Sequence, residues 1–584
     1  MKKYFSMILA AFLATSCMDM ELLPNDKTVD EDFWQSKSDV ALMVNGAYKQ
    51  FASAAVQQRL IIWGAFRSDE LLLNTGVPSN DGTFIALNQI QEVNIETTNT
   101  YSDWSSLYAV INYCNIVMAK AEGVMAIDPS YTQGDYLTDR SQMLALRALC
   151  YFYLVRTFRD VPYTTTAYMT ESQSRVIEQL PPTEVLQHCI DDLLEAEKNA
   201  LSPMVTGWKR VGLLTKDGIQ SILADIYLWR ASVLHSDADY QACINYCDKV
   251  IASKKAQNQQ GNGVISKLDY PLVENTDGAR NAFTDLYVTQ NSDESIFETQ
   301  YNSDASGTNT GLAQMYYEYK KNGSSPYLMA AMKFGSSITK SSLGDPLDQI
   351  YVNDCDRRYW NNCIGVTGDG EMFGIAKYRS LGTVYDGGTP PTKPASMYYL
   401  RDFEHYNQNF IIYRLPDIML MKAEAMVAQI RLAGDVIAPE DTRMADAREL
   451  VNQVYKRSLD ESQWASMLYP QSYESDPDAL ERLILQERFR ELCFEGKRWF
   501  DILRYNYRHQ ATPCNYSTML VDQNGSYMKN TQDFLDIVGR KYDNGASRTN
   551  KMKEETRLYM PVPHADIVTC RPWLRQNPGY QDED

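Results

Sequence analysis

Three glutamates near the C-terminal end of the chain, Glu487, Glu491 and Glu495, have a spacing that suggests chemistry. Residues four apart lie on one face of a helix, and a glycoside hydrolase needs two carboxylates about 5–10 Å apart across a cleft. The same segment is rich in arginine and contains the bulky side chains of Trp499 and Phe500. We therefore interpret these acids as part of an internal ion-pair network that locks helices together, in preference to a catalytic pair.

The arginines of this segment have acidic neighbours at helical spacing. Arg488 and Glu491 are three residues apart, as are Arg498 and Asp501, so that each pair can meet on the surface of a helix. A buried network of this kind contributes weakly to stability, because charges lose hydration when they are buried. That it specifies how the helices pack is a hypothesis.

The other residues that could take part in catalysis or bind a metal match no known catalytic pattern. The five histidines form neither an HExxH motif nor a close pair, which argues against a zinc hydrolase. The sequence has no Walker loop, no GxSxG elbow and no GxGxxG ahead of a helix. Acidic pairs such as Asp69-Glu70, or Asp354 with Asp356, mean little in a chain with 75 acids. Calcium bound by loop carboxylates stays open, but no EF-hand spacing occurs, and we predict no catalytic residue, metal or cofactor.

Composition narrows the class of protein. The chain has 584 residues, of which 44% are hydrophobic, so a large core and more than one sub-domain are expected. The net charge of −19 argues against binding to nucleic acid and against broad adhesion to anionic lipid. The 39 tyrosines and 9 tryptophans are consistent with a helical core, and some of these rings are expected to line a sugar site.

The N-terminus has the features of a targeting segment. Two lysines, Lys2 and Lys3, precede an apolar run that leads to Thr15, Ser16 and Cys17. This order is typical of a secretory signal, and the apolar run is too short to span a bilayer. A cysteine at its end resembles a bacterial lipoprotein signal, in which Cys17 is acylated; the alternative is an ordinary signal peptide with an incidental cysteine. We predict a signal peptide over 1–16 and a lipid-anchored tether over 17–37.

Ten cysteines follow Cys17. Cys355 and Cys363 lie in loop-like sequence and are the best candidates for a disulfide. The absence of a CxxC motif argues against a structural zinc site. Six others lie in helix-like apolar surroundings and are predicted to be buried free thiols: Cys114, Cys150, Cys189, Cys243, Cys247 and Cys493.

Apolar residues at helical spacing predict an N-terminal helical region over 38–254 and a C-terminal one over 409–584. Between them, 255–408 is rich in Gly, Asn, Asp, Ser and Pro and predicts long loops with a few short strands or helices. The paired helices resemble tetratricopeptide repeats, although no clean 34-residue period occurs. Helices are predicted over 38–51, 102–125, 139–159, from after Pro182, 216–234, 238–253, 413–430, 440–457 and 477–507.

Several segments, taken in order over nearly the whole chain, resemble the SusD/RagB-like family of outer-membrane nutrient-binding lipoproteins. The segments with this resemblance are Phe33-Trp34 with Val44-Asn45-Gly46-Ala47-Tyr48; Trp104, Tyr108 and Asn115; Arg147-Ala148, Tyr151-Phe152 and Asp160-Val161-Pro162-Tyr163; Arg414, Asp417, Leu420 and Ala423-Glu424-Ala425; Glu487-Arg488, Glu491, Glu495-Gly496, Arg498, Asp501-Ile502 and Arg504; and Pro561, Pro563 and Gln576-Asn577-Pro578-Gly579-Tyr580.

The resemblance implies a mainly α fold with tetratricopeptide-like helix pairs and long irregular loops that form a ligand-binding face. It implies a surface-exposed lipoprotein of the outer membrane that is not an enzyme. Such a protein captures a glycan without covalent chemistry and passes it to a TonB-dependent transporter that resembles SusC. Asp19 and Glu21, just after the lipid site, resemble the surface-export signal of Bacteroidetes lipoproteins.

By the same resemblance, ligand contacts are expected from the loops after the first helices and from the irregular middle. Three alternatives stay open: a peptide-binding member of the family, a lipid-anchored glycoside hydrolase, and a scaffold without a ligand. The sequence does not separate glycan from peptide, because tyrosine suits both. The expected contacts are Asn74, Asn80, Asp81, Tyr301, Tyr316, Tyr317 and Trp360.

Overall fold

The structure is a computed structural model. Predictions about the signal peptide, Cys17, Asp354, Cys355 and His405 fall outside the described residues. The structure describes residues 33–580 except 171–172, 174–175, 261–269, 271, 273–281, 305–306, 318–324, 332–355, 365–371, 379, 386–393, 401–405, 435, 439, 543–544 and 571.

Helices dominate the described residues, which confirms the prediction of a mainly α fold. Two π-helical turns, Ile62–Phe66 and Asp285–Thr289, continue α2 and α10. The helices are α1 Lys37–Phe51, α2 Ala54–Ile61, α3 Gly82–Gln91, α4 Ser105–Val124, α5 Gln133–Phe158, α6 Pro182–Lys198, α7 Lys209–Gly212, α8 Lys216–Leu234, α9 Asp237–Gln260, α10 Ala282–Thr284, α11 Thr310–Tyr316, α12 Arg357–Asn362, α13 Leu415–Leu432, α14 Arg443–Ser458, α15 Trp464–Met467, α16 Pro477–Leu492, α17 Arg498–Arg508, α18 Gln532–Gly539, α19 Ala546–Lys551 and α20 His564–Cys570.

Short strands form small antiparallel sheets. One sheet has the order β1-β5-β7-β6, and the strands β4 and β10, β2 and β3, and β8 and β9 form pairs. Most of them lie in the irregular middle, as the sequence predicts. The strands are β1 Leu71–Leu73, β2 Val161–Pro162, β3 Gln179–Leu180, β4 Ser295–Thr299, β5 Leu328–Ala331, β6 Cys363–Ile364, β7 Met372–Ile375, β8 Ser380–Tyr385, β9 Pro394–Leu400 and β10 Phe410–Arg414.

Local sequence fixes where the long helices begin and end. A capping box of Ser36 and Asp39 starts α1, and a box of Thr132 and Asp135 starts α5. The second box explains why α5 begins six residues before the predicted start at 139. Arg159, with a φ of 70°, ends α5 directly before strand β2.

Consecutive helices pack side by side. Helix α5 is the centre of the N-terminal half, because it lies between α4 and α6 and all its residues from Ser141 to Phe158 are buried. A helix buried on all sides belongs to the interior of a large core. The series continues as α6, α8, α9, α13 and α14, each packed against the next. Among the described residues, none of the helices is both long and apolar enough to span a bilayer.

The predicted helix over 477–507 is two helices, α16 and α17. The break lies at Phe494 and Gly496, which have positive φ values of 66° and 71°. Gly496 also lies against Gly64: a Cβ on Gly64 would be 1.9 Å from the Gly496 carbonyl oxygen. This backbone contact requires both glycines, and it places Glu495 beyond the end of α16 rather than on its face.

The predicted ion-pair network is confirmed, and it is larger than one helix. Arg414, at the end of β10, is buried and contacts Glu294 at 3.2 Å, Glu491 at 2.5 Å and Glu495 at 2.8 Å. Arg457 of α14 pairs with Glu294 and Glu491. The network therefore joins β10, the start of β4, α14 and α16 inside the protein.

The two pairs predicted within single helices do not form. Arg488 pairs instead with Asp417 of α13 at 2.9 Å and with Asp501 of α17 at 2.9 Å. Arg498 pairs with Asp69 at 2.8 Å. Spacing along one helix cannot anticipate these contacts, because Asp417, Asp501 and Asp69 come close to the two arginines only when other elements of the chain pack against their helices.

The six cysteines predicted to be buried in helix-like surroundings are buried. Cys114, Cys150 and Cys189 are buried free thiols, and Cys493 is buried with its sulfur 3.9 Å from the Arg490 carbonyl oxygen. The other predicted pair of thiols, Cys243 and Cys247, is also buried, and the two sulfurs are 4.0 Å apart on one face of α9. Cys363, one half of the predicted disulfide, is buried, and the other half lies outside the described residues, so that the disulfide stays a prediction.

Candidate functional site

An open groove with a volume of ≈ 1060 Å³ lies among helices α1, α4 and α7 and the end of strand β4. Aromatic rings stand beside amide and hydroxyl groups in its lining, and we call it the aromatic groove. The lining side chains that the argument below uses are Asn45, Tyr48, Lys49, Gln50, Tyr113, Trp208, Glu298, Gln300, Tyr301 and Asn302.

Trp208 is the most available ring of the aromatic groove, with 46% of its surface exposed. It directly precedes the short helix α7, which packs against β4. A Cβ on Gly212 would lie 2.7 Å from the Trp208 ring and 2.6 Å from the Gln300 side chain. Only glycine leaves room at this position, so the sequence places a flat apolar face next to an amide.

Two tyrosines form the opposite side of the aromatic groove. The ring of Tyr113 lies against Gly46 of α1, at 3.5 Å from where a Cβ would stand. The Tyr48 hydroxyl accepts a hydrogen bond from the Leu214 backbone at 3.0 Å and lies 3.2 Å from the Gln142 amide oxygen. Both rings are half-buried, so they present an edge or one face to the groove.

Of the predicted contact residues whose side chains the structure describes, Tyr301 alone lines the aromatic groove. Its hydroxyl donates to the Ala52 carbonyl oxygen at 2.7 Å and lies 3.1 Å from the Gln57 amide oxygen. Its backbone nitrogen donates to Asn409 at 3.0 Å. The ring is thus held by the turn between α1 and α2, while its half-exposed side faces the groove.

The polar groups of the aromatic groove are mostly neutral. Asn45, Lys49 and Asn302 are exposed. Glu298 is the one acid in the described lining, and its side chain is fully buried, with Asn409 donating to it at 2.9 Å. Burial raises the pKa of Glu298. Hydrolysis of a glycosidic bond commonly uses two carboxyl groups that flank it, and the described lining supplies one that does not face solvent.

The predicted contacts Asn74, Asn80 and Asp81 lie together in another place, the turn between β1 and α3. The Asn74 amide is buried and donates to the Pro326 carbonyl oxygen at 2.8 Å. Asp81 caps α3 by accepting from the backbone of Phe84 at 3.0 Å. Asn80 is exposed at the tip. Two of the three side chains therefore hold the turn, and the described lining of the aromatic groove includes none of them.

Tyr316 and Tyr317 are packed inside the protein rather than standing on an open loop. Tyr316 is the last residue of α11, and its ring stacks on Tyr378 at 6.3 Å between centroids. Tyr317 packs edge-on against Tyr406 at 4.5 Å. Both are almost fully buried, because α11 turns this part of the predicted loop toward the core. Trp360 lies in α12, and its side chain is outside the described atoms.

Sequence reasoning missed Trp208 and Tyr113. A usable signal was present for Trp208, which follows Thr206 and Gly207 in a segment without helical periodicity between two predicted helices. A tryptophan in such a connection has no helix face to bury it and is a candidate for exposure. Tyr113 gave no signal, because it lies within a predicted helix, where a ring is expected to pack against the core.

The described lining of the aromatic groove includes none of the three glutamates with helical spacing, and Glu491 is held as a charged group. Burial alone would raise the pKa of Glu491, but Arg457 and Arg414 outweigh it and hold the pKa well below its usual range. A general acid of a glycosidase instead needs a raised pKa. The network is therefore structural and unsuited to proton donation.

The network predicts how stability depends on pH. Burial opposes the charged form of Asp417, but Lys497 and Arg488 lower its pKa to about 2. Glu481 has a pKa of about 2 for the same reason, through Arg508 and His509. Both pKa values are depressed below those of the unfolded chain, so the stability they contribute is present above about pH 4 and lost as the pH falls toward 2.

We expect the free energy of unfolding to fall by about 2 kcal/mol for each such carboxylate over this range. Urea denaturation at pH 6, 4 and 2.5, followed by circular dichroism, measures it. Equal unfolding midpoints at pH 4 and 2.5 would contradict the assignment of these carboxylates as ionised partners of the arginines.

One set of side chains in the described residues has the composition of a metal site. Asp478, Glu481 and His509 offer ligand atoms within 4.8 Å of one another. Arg431, however, pairs with Asp478 and lies 3.1 Å from Glu481. Because a guanidinium already supplies the positive charge there, we assign this set to the ion pairs of the core.

Comparison with known proteins identifies the family of this fold. Residues 377–580 match the SusD family, and residues 22–228 match a family described as starch-binding and associating with the outer membrane. SusD-like protein P38 and SusD-like protein P2 of Formosa agariphila are 24% and 23% identical to this chain. The alignments cover 86% of this chain and 90% and 91% of the two relatives.

Solved structures share the fold. A SusD superfamily protein from Bacteroides thetaiotaomicron has a TM-score of 0.61 at 20% identity, over 94% of this chain and 99% of that chain. A SusD superfamily protein from Bacteroides vulgatus has a TM-score of 0.62 at 15% identity, over 94% of this chain and 100% of that one. The sequence matches and the fold agree, and the chain belongs to the SusD/RagB-like family of glycan-binding proteins of the outer membrane.

Proposed function

We propose that this protein captures an oligo- or polysaccharide in the aromatic groove. The observation that supports this most is the pairing of the exposed Trp208 ring with amide side chains in one open groove. Aromatic faces cover the apolar side of a sugar ring, and amides and hydroxyls bond its hydroxyl groups. The mostly uncharged lining suits a neutral glycan, and the match to a family described as starch-binding supports the same ligand class.

The protein acts by binding and not by turnover. This is supported by the single buried acid in the described groove lining and by the low pKa of Glu491. A turnover assay tests it: the protein is incubated with a glycan that it binds, and reducing ends are measured. We expect none above the level of a heat-denatured sample. Released reducing ends would overturn this reading in favour of a glycoside hydrolase.

Affinity gels are the experiment that tests glycan capture. A soluble form that starts after Cys17 is run through gels containing plant, host and microbial polysaccharides, and retarded migration identifies the ligand class. We expect retardation on at least one neutral glycan. If no glycan retards the protein, calorimetry with oligopeptides tests the alternative of a peptide-binding member of the family, for which a tyrosine-lined groove is also suited.

The captured glycan passes to a TonB-dependent transporter that resembles SusC, from a protein anchored at the cell surface through lipid on Cys17. Family membership and the cysteine at the end of the signal segment support this. Metabolic labelling with a palmitate analogue should mark the wild type and not Cys17→Ala. Purification through a C-terminal tag from detergent-solubilised outer membranes should recover the transporter. Recovery of the protein alone would contradict the partnership.

A further inference from the structure

A second groove, with a volume of ≈ 800 Å³, lies at the C-terminal end of the described chain. It is separate from the aromatic groove, since the two share no lining residue. Three cationic side chains, Lys551, Lys553 and Arg557, line it together with Thr97 and Tyr580. We call it the basic groove.

The closing motif of the chain builds one wall of the basic groove. Asn577 fastens the motif by donating to the Met560 carbonyl oxygen at 2.7 Å, and Gln576 bonds both backbone groups of Val562 at 2.8 Å. A Cβ on Gly579 would stand 2.9 Å from the Thr556 carbonyl oxygen. The motif is therefore seated tightly, and the groove wall it forms is fixed by buried hydrogen bonds.

The cations of the basic groove have no acidic partner among the described residues. Arginines elsewhere, such as Arg414 and Arg488, are paired. In the described part of the chain, none of Lys551, Lys553 and Arg557 lies within 4.0 Å of a carboxylate oxygen. Among the described residues, no carboxylate therefore neutralises their positive charge directly, in a chain whose net charge is −19.

An aromatic ring lies beside this charge. The guanidinium carbon of Arg557 is 4.8 Å from the centre of the Tyr580 ring, and the Tyr580 hydroxyl donates to the Tyr559 carbonyl oxygen at 2.6 Å. Stacking on the ring orients Arg557 while leaving its N–H groups to other acceptors. A planar guanidinium next to a ring and two lysines matches a sugar that bears an anionic group.

Two acids, Glu96 and Glu554, also line the basic groove and are exposed. In the described lining, the three cations therefore outnumber the acids by one. The acids allow a test of the ligand's charge. If an anionic ligand binds in the basic groove, removing the negative charge of Glu554 must increase its affinity.

We propose that the basic groove is a second binding site for a saccharide that bears carboxylate or sulfate groups. This proposal rests on the proposed function in so far as the ligand is a saccharide. The basic groove, however, is a different surface from the aromatic groove and binds through charge. Lys553 and Arg557 bond the anionic group, and the Tyr580 ring borders the sugar. This site would let one protein hold an acidic branch of a glycan while the aromatic groove holds a neutral part.

Calorimetry of the soluble protein at low ionic strength tests this with three probes: trigalacturonic acid, its methyl ester, and a sulfated carrageenan tetrasaccharide. We expect the acid or the sulfated probe to bind and the neutral ester not to. Lys553→Gln should weaken binding about two- to fivefold, and Glu554→Gln should strengthen it by a similar factor, since each change alters one exposed charge next to the ligand. Binding should also weaken with added salt.

Matched variants separate this inference from the proposed function. Lys216→Gln removes an equally exposed lysine at the start of α8 and should leave anion binding unchanged. Trp208→Ala should also leave anion binding unchanged, while it weakens the binding of a neutral glycan in the aromatic groove. The proposal is overturned if neither anionic probe binds, if the ester binds equally well, or if Trp208→Ala abolishes anion binding while Lys553→Gln has no effect.

Discussion

Replacing Trp208 by alanine is expected to weaken glycan binding by about 30-fold. Trp208 is the most exposed ring of the aromatic groove, and a tryptophan at the centre of a binding surface contributes about 2 kcal/mol or more when truncated. The ring lies outside the core, so the fold does not depend on it. Isothermal titration calorimetry with the glycan identified by affinity gels measures the loss.

Trp573 offers a matched control for this experiment. It is 48% exposed, close to the 46% of Trp208, but it does not line the aromatic groove. Trp573→Ala should therefore bind the glycan as the wild type does, and both variants should unfold at the wild-type temperature. Equal losses in the two variants, or no loss in Trp208→Ala, would remove the aromatic groove as the capture site.

Gly212 supplies a second way to test the same ring. Alanine at this position would place a Cβ 2.7 Å from the Trp208 ring and 2.6 Å from Gln300, so that one of them must move. We expect Gly212→Ala to weaken glycan binding while Trp208 is still present. Tryptophan fluorescence should report the changed position of the ring, and wild-type binding and fluorescence would contradict this account of the groove.

Replacing Arg414 by methionine is expected to destabilise the protein by about 3–5 kcal/mol. Arg414 is buried and lies against three glutamates, and removing one partner from a buried ion pair leaves charge without compensation. Methionine fills a similar volume, so the loss reports on charge more than on packing. Urea denaturation followed by circular dichroism measures the change in the free energy of unfolding.

The surface pair of Arg575 and Asp522 is the control for Arg414. Both side chains are more than half exposed, and their contact is 3.4 Å. Exposed pairs contribute about 0–1 kcal/mol, so Arg575→Met should unfold close to the wild type. If Arg414→Met were as stable as Arg575→Met, the network would not hold these elements together.

The Arg414 variant should also affect ligand capture, because the network reaches the aromatic groove through the backbone. Arg414 ends β10, which pairs with β4, and Glu294 directly precedes β4. The end of β4 and the residues that follow it, Phe297 to Asn302, line the groove. A folded fraction of Arg414→Met is therefore expected to bind glycan more weakly than Arg575→Met does.

The sequence by itself determined the helical framework. Apolar residues at helical spacing predicted α8 over 216–234 without error and α1 to within one residue. This succeeds because a helix that buries one face must repeat its apolar residues with the period of the helix. The same reasoning identified buried free cysteines and an ion-pair network, since both follow from the residue types around them. The order of the motifs was enough to recognise the family.

Only the tertiary structure decided which residues face a ligand. Tyr301 and Tyr316 look alike in sequence, yet one lines the aromatic groove and the other is enclosed by Tyr378 and Phe494. The partners of Arg488 and Arg498 were also undecided, because a positive φ at Gly496 sets the direction of α17. Burial and pairing of this kind depend on contacts between residues that can lie hundreds of positions apart in the sequence. The spacing of residues within one helix cannot predict such contacts.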